Sequence, residues 1–220
     1  MIASLLGISP AHWAALLAGL KWTIFLSVVG FLAGGLVGFI VALSRISDSV
    51  VVRAVAVTYV NLIQGTPLLV LMFVLYFGLP VFGLEMPPLA AACIAMTMFS
   101  AAYLGEIWRG CLQSVPRTQW EAADCLALAR WERMLLVILP QALRIAVPPT
   151  VGFMVQIVKN TSVASVIGMA EMTYIGKLIN NATFQPFRTY LIIAGLYFLL
   201  CYPLSWLSRR LERKLNVAHR

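Results

Sequence analysis

The stretch AVAVTYVNLIQGTPLLVLMFVLYFGLPVFGL, residues 54–84, carries no charged side chain over 31 positions. A helix crossing a hydrocarbon core of about 30 Å needs about 20 mostly apolar residues. Residues 54–84 are therefore too apolar for a soluble fold and too long for one straight span. Gln64-Gly65-Thr66-Pro67 falls inside them. Proline removes a backbone donor and glycine relaxes the turn, which predicts a break or kink there.

Outward from this stretch the same character continues. The chain of 220 residues is 61% hydrophobic and 11% charged, whereas an average soluble domain is roughly 25% charged. Counting uncharged runs gives five spans, at 22–44, 54–84, 86–105, 145–170 and 189–208. The first is rich in glycine (Gly30, Gly34, Gly35, Gly38), which lets another helix approach closely. The fourth is interrupted by the polar patch Lys159-Asn160-Thr161-Ser162. Residues 1–19 lack a basic start and are broken by Ser9-Pro10, so they read as a short N-terminal surface segment rather than a cleaved signal. Residues 20–215 form one all-α membrane domain.

Charge supplies orientation. Of the 16 basic residues, all but Lys21, Lys159, Lys177 and Arg188 flank the first and third connections or crowd the tail. The excess of Lys and Arg on one side predicts an outside N-terminus and a cytoplasmic C-terminus. The net charge of +8 is explained by these helix-end positions, which argues against a nucleic-acid surface. Cys93, Cys111, Cys125 and Cys201 follow no paired or metal-ligand spacing, and His12 and His219 stand alone, so no metal site is expected.

The third connection, about 109–144, is the main hydrophilic feature. Trp120, Ala123 and Ala127 fall on one helical face after Pro116, beside Glu121 and Asp124, and 131–139 reads as a second helix stopped by Pro140. The expectation is a cytoplasmic helical hairpin. Such a hairpin suits docking into a partner's groove, or lying on lipid headgroups, and spacing alone does not separate the two.

Lys159 lies 15 residues beyond Arg144, about 22 Å along a helix at ~1.5 Å per residue. An ionisable group at that depth is costly unless paired or hydrated. Two readings stand: a water-filled path lined by Lys159, Asn160, Thr161 and Ser162, or a lysine snorkelling outward while its neighbours bond backbone. Glu106 and Arg109 share a helix face and can pair at the membrane border. Gln64, beside Gly65 and Thr66, either offers polar groups to a substrate or packs at a kink. Gly176-Lys177 is a fragment of a phosphate loop, but Glu171 replaces its first glycine and Leu178 its hydroxyl, and no Ser/His/Asp arrangement is present. No enzymatic activity is expected of this chain.

Glu121-Ala122-Ala123 followed by Ile138-Leu139-Pro140-Gln141 resembles the EAA motif of importer-type ATP-binding-cassette permeases. The likeness extends to Gln64-Gly65-Thr66-Pro67-Leu68-Leu69, Ala102-Tyr103 with Glu106 and Arg109-Gly110, Ser114-Val115-Pro116, and Lys159-Asn160-Thr161-Ser162 with Val166-Ile167-Gly168. Together these look like the subfamily importing polar amino acids such as histidine, arginine, glutamine, glutamate and opines, over residues 19–215. The resemblance implies a permease subunit in the bacterial inner membrane. It also implies a second permease chain, identical or paralogous, two cytoplasmic ATPase subunits that bind ATP and Mg, and an external solute-binding protein. No cofactor would be bound by this chain. Glu121, Ala122 and Ala123 would couple to the ATPase, with Ala127 where the family usually has a glycine at the hairpin turn. Alanine tolerates positive φ poorly, so the turn is expected to stay more helical or to shift. The substrate path would take Gln64, Gly65, Thr66, Glu106, Gln156, Lys159, Asn160, Thr161, Ser162 and Glu171, with Lys159 attracting a carboxylate, either the substrate's or that of Glu171. Leu71 stands where relatives often carry glutamine, which removes one polar group from that path.

Overall fold

A computed structural model describes residues 9–216, and residues 1–8 of the expected surface segment lie outside the described residues. Among the described residues every regular element is helical. Four helices are long and apolar enough to cross a membrane, and a bent pair makes a fifth if it is counted as one span.

Helix α1, Pro10–Arg45, begins where Ser9 accepts a hydrogen bond from the His12 N–H at 3.4 Å and Pro10 takes a first-turn position. It runs through residue 19 without a break, so residues 10–19 are the opening turns of the first long helix rather than a separate piece. A Cβ on Gly19 would lie 3.0 Å from the Met172 backbone, which shows how closely that turn is packed.

Helix α2, Val50–Gln64, and helix α3, Leu68–Phe73, meet at an angle of 100° across Gly65-Thr66-Pro67. The expected kink is thus a sharp break. Proline 67 supplies no N–H, and the Thr66 hydroxyl bonds back to the Leu62 carbonyl at 2.7 Å, satisfying one acceptor freed at the end of α2. Helix α3 continues through a π turn, Val74–Gly78, and a 3-10 turn, Leu79–Phe82, to Gly83 at φ 78°.

Helix α4, Pro88–Gln113, is the central element and packs along α1. Gly30, Gly34 and Gly38 of α1 face Met96, Ser100 and Ala101 of α4, with Gly105 on the opposing side. The glycines thus allow the close approach expected from their spacing.

After helix α5, Arg117–Cys125, the chain forms a single helical turn at Arg130–Glu132, passes a π turn, Arg133–Ile138, and continues as helix α6, Leu139–Asn160. Pro140 does not stop this helix. The wider turn just before it absorbs the missing N–H and the ring, as π turns commonly do, and α6 also carries Pro148 and Pro149. From Thr161 to Ile167 the chain tightens into a 3-10 helix that ends at Gly168, φ 81°. Helix α7, Met172–Thr183, is amphipathic and lies outside the five expected spans, and helix α8, Pro186–Asn216, closes the described chain.

The principal core joins Leu26 of α1, Leu68 and Met72 of α3, Met96 and Leu104 of α4, and Phe153 and Ile157 of α6. The outer surface stays apolar: Leu36 is 74% exposed and Phe82 82%. In water such a surface would be a liability; in lipid it costs nothing.

Candidate functional site: a broken span, an interrupted span and a surface helix

The two helix interruptions meet. Leu68 and Met72, just after the break in the α2–α3 pair, pack in one core with Ala164 and Ile167 of the 3-10 segment. Non-helical backbone at membrane depth is tolerated where it is buried in protein or lines a water-filled cavity.

Around this junction the polar side chains behave differently from one another. Gln64 donates to the Ala102 carbonyl of α4 at 3.5 Å, a long bond at the edge of the accepted range. Gly65 sits so close to the Asn61 carbonyl that an added Cβ would lie 2.8 Å from it. Gln156 donates to the Asn160 Oδ1 at 3.0 Å, while the Asn160 Nδ2 is buried and makes no hydrogen bond among the described residues. Thr161 is fully buried and bonds the Val158 carbonyl at 2.8 Å; Ser162 bonds the Lys159 carbonyl at 2.7 Å. The neighbours of Lys159 thus do bond backbone, while Lys159 itself is exposed and takes part in no ion pair among the described residues.

Glu171 is elsewhere than expected. Its side chain is fully buried, and it caps α7 by accepting from the Tyr174 N–H at 2.8 Å. The hydroxyls of Tyr197 on α8 and Thr23 on α1 donate to its other oxygen at 2.9 and 3.3 Å. Neutral donors from three elements therefore surround it, and the pairing with Lys159 is not made. Burial pushes this carboxyl above the usual carboxylate range, opposed by the hydrogen bonds it receives. It lies between the last two candidate spans. The structure makes it an anchor for α7 rather than a group open to a ligand.

Glu106 is likewise engaged. Arg109 donates to Oε1 at 2.7 Å, as the spacing predicted, and Arg45 from the end of α1 lies 3.1 Å from Oε2. Both carboxylate oxygens are occupied by guanidinium groups. Nothing in the sequence pointed to Arg45, which is 61 residues away.

Helix α5 projects between α4 and α6. Ala123 is buried beneath it, whereas Glu121 and Ala122 are exposed. Arg133 lies over the Trp120 ring at 5.5 Å and pairs with Asp124, fixing α5 against the π turn. A cleft of about 510 Å³ opens beside Gln113, Trp120 and Glu121. The turn that follows holds its place: Ala127 adopts φ 51°, the left-handed conformation, with its N–H on the Asp124 carbonyl at 2.9 Å. Alanine has not made the turn helical. Because α5 ends at Cys125, Ala127 also does not share the face of Trp120 and Ala123.

Residues 34–217 match the family of binding-protein-dependent transport system inner membrane components. The chain belongs to this family. A probable amino-acid ABC transporter permease, YckA of Bacillus subtilis, is 36% identical over 196 residues, covering 89% of this chain and 87% of that one. The glutamine transport system permease GlnP of Escherichia coli K12 is 34% identical over 212 residues, covering 94% and 97%. The crystal structure of an amino acid ABC transporter with histidines superposes with a TM-score of 0.88 at 33% identity, covering 93% and 95%. The protein is accordingly a membrane permease subunit with the ABC permease fold, a transport component and not itself an enzyme.

Proposed function

We propose that this permease carries polar amino acids through an ATP-driven importer of the bacterial inner membrane. It works as a five-span subunit with its N-terminus outside and α5 and the C-terminus in the cytoplasm. The observation that carries the reading is the buried Asn160 Nδ2, unpartnered among the described residues, where α6 gives way to the 3-10 segment whose Ala164 and Ile167 pack with Leu68 and Met72 of α3. A buried amide donor without a partner is costly, and a substrate carboxylate or side-chain carbonyl would satisfy it. Gln64, Gly65, Thr66, Gln156, Lys159, Thr161 and Ser162 flank the path in this reading, and the exposed Lys159 draws an anionic group toward it.

Two cytoplasmic ATPase subunits hold ATP and Mg and grip α5 at Glu121, Ala122 and Ala123, with the turn at Ala127. A second permease chain, identical or paralogous, completes the pathway, and an external solute-binding protein delivers substrate. The amino-acid chemistry is supported by the relatives' assignments and by the match of polar junction to broken span.

The test is uptake into proteoliposomes holding the whole assembly, with labelled glutamine, histidine, arginine and glutamate offered in turn. At least one should accumulate in an ATP-dependent manner, and Asn160→Ala should slow it at least tenfold while the assembly stays intact. Wild-type rates in Asn160→Ala would remove that residue from the path. No ATP-dependent accumulation of any amino acid would sink the function.

A further inference from the structure

Trp206, Arg209, Arg210 and Arg213 stand at i, i+3, i+4 and i+7 near the end of α8, on one helix face. They line a cleft of about 310 Å³. The Arg210 guanidinium lies 4.9 Å from the centre of the Trp206 ring, so indole and cation form one wall. The ion pairs among the described residues engage Arg45, Arg109, Arg130 and Arg133 and none of these three arginines. Glu212 stands on the same helix and pairs with none of them. The cleft is a concentration of fixed positive charge without a matching carboxylate.

One to two turns earlier, α8 is apolar. Leu200, Pro203 and Leu204 border a groove of about 470 Å³ whose other walls include Phe31 and Leu32 of α1 and Met154 of α6. Pro203 and Arg210 share a face, seven residues apart, or about 10 Å along a helix. A headgroup layer is about 5–7 Å deep on each side of the hydrocarbon, so 10 Å leads from phosphate depth into the acyl region. A cationic cleft, an interfacial tryptophan and an apolar groove therefore follow one another along α8 in the order of a phospholipid's parts.

We propose that the end of α8 and the adjoining α1–α6–α8 groove bind one anionic phospholipid, its phosphate among Arg209, Arg210 and Arg213 and an acyl chain along Pro203 and Leu204. Arginine suits the phosphate because its planar fork donates two hydrogen bonds at once. A charge excess serving orientation alone would require neither the indole wall nor the groove. The proposal rests on α8 being a span that ends in a headgroup layer. It does not depend on what the permease carries.

The purified full-length chain in neutral detergent is mixed with phosphatidylglycerol or with phosphatidylcholine of the same acyl chains, and retained lipid is counted by native mass spectrometry. Phosphatidylglycerol should be retained at least tenfold better. Arg209→Gln combined with Arg210→Gln should cut its retention at least fivefold, and Leu204→Trp, which fills the groove and leaves the charges in place, should do the same. Should the double variant fail to fold, Arg210→Gln alone is read for a loss of at least twofold. Equal retention of the two lipids by the wild type, or undiminished phosphatidylglycerol in the folded variants, overturns the proposal. Displacement of phosphatidylglycerol by millimolar inorganic phosphate would overturn it too, reassigning the cleft to a free anion. The measurement involves no substrate and no ATPase, so a failure of transport in the uptake assay leaves its result untouched.

Discussion

Gly34 of α1 and Ser100 of α4 approach so closely that a Cβ on Gly34 would sit 2.5 Å from the Ser100 Cβ. Ser100 is fully buried, and the Thr97 carbonyl and Ala101 amide nitrogen lie 3.2 and 3.3 Å from the same point. Backbone on one side leaves no flexible atom to yield. Replacing Gly34 by valine should force α1 and α4 apart at a cost of about 1–3 kcal/mol, the usual range for overpacking. Gly35→Val, which meets only the far end of Trp108 at 3.6 Å, should cost much less. Thermal melts of the two variants in one detergent check this; equal losses would refute the close packing.

Glu106 ties α1 to α4 by holding Arg45 and Arg109 at once. Its side chain is 27% exposed, so solvent screens the pair only in part. Glu106→Gln should destabilise by about 1–3 kcal/mol, because it leaves two cations facing one neutral amide. Arg45→Gln should cost less, since Arg109 still neutralises the carboxylate. A measured loss for Arg45→Gln as large as that for Glu106→Gln would contradict this arrangement.

Ala127 occupies positive φ without the glycine that such a position favours. Ala127→Gly should relieve strain and stabilise the turn by about 0.5–1 kcal/mol, less the entropy glycine gains in the unfolded chain. Ala127→Val should destabilise it. Protection of the amides after α5 in hydrogen exchange reads the turn directly, and greater protection with valine than with glycine would reverse the conclusion.

Glu171 links acidity to stability. Burial holds its folded pKa above the ordinary value of 4.5. The stabilisation from its protonated form is therefore complete below that ordinary value and is lost as pH rises through the folded one. Relative to Glu171→Gln, which cannot titrate, the wild type should lose melting temperature over the pH window that begins at that ordinary value and runs upward from it. Parallel profiles for the two proteins would show that the carboxyl does not titrate in this window. Tyr197→Phe, which removes a donor that lowers the pKa of the carboxyl, should extend the loss to higher pH than in the wild type.

What was readable in the chain was local. The break at Gln64-Gly65-Thr66-Pro67 follows from one imino acid and one glycine, and the Glu106–Arg109 pair from a three-residue helical spacing. Pro140 misled because a π turn, not a helix end, accommodates it. The enclosure of Glu171 carried no readable sign, because Thr23 and Tyr197, which donate to its second oxygen, are neutral and lie on distant helices.

The sequence by itself determined the membrane class, the place where the second span breaks and the family, since uncharged length, proline chemistry and short motifs are properties of contiguous residues. Only the tertiary structure decided that Arg45 reaches Glu106, that the residues just after the α2–α3 break pack against the 3-10 segment that follows α6, and that Glu171 is enclosed by neutral donors. Those relations depend on how closely helices approach. The glycine faces of α1 permit that approach, but no local pattern states which partner fills them.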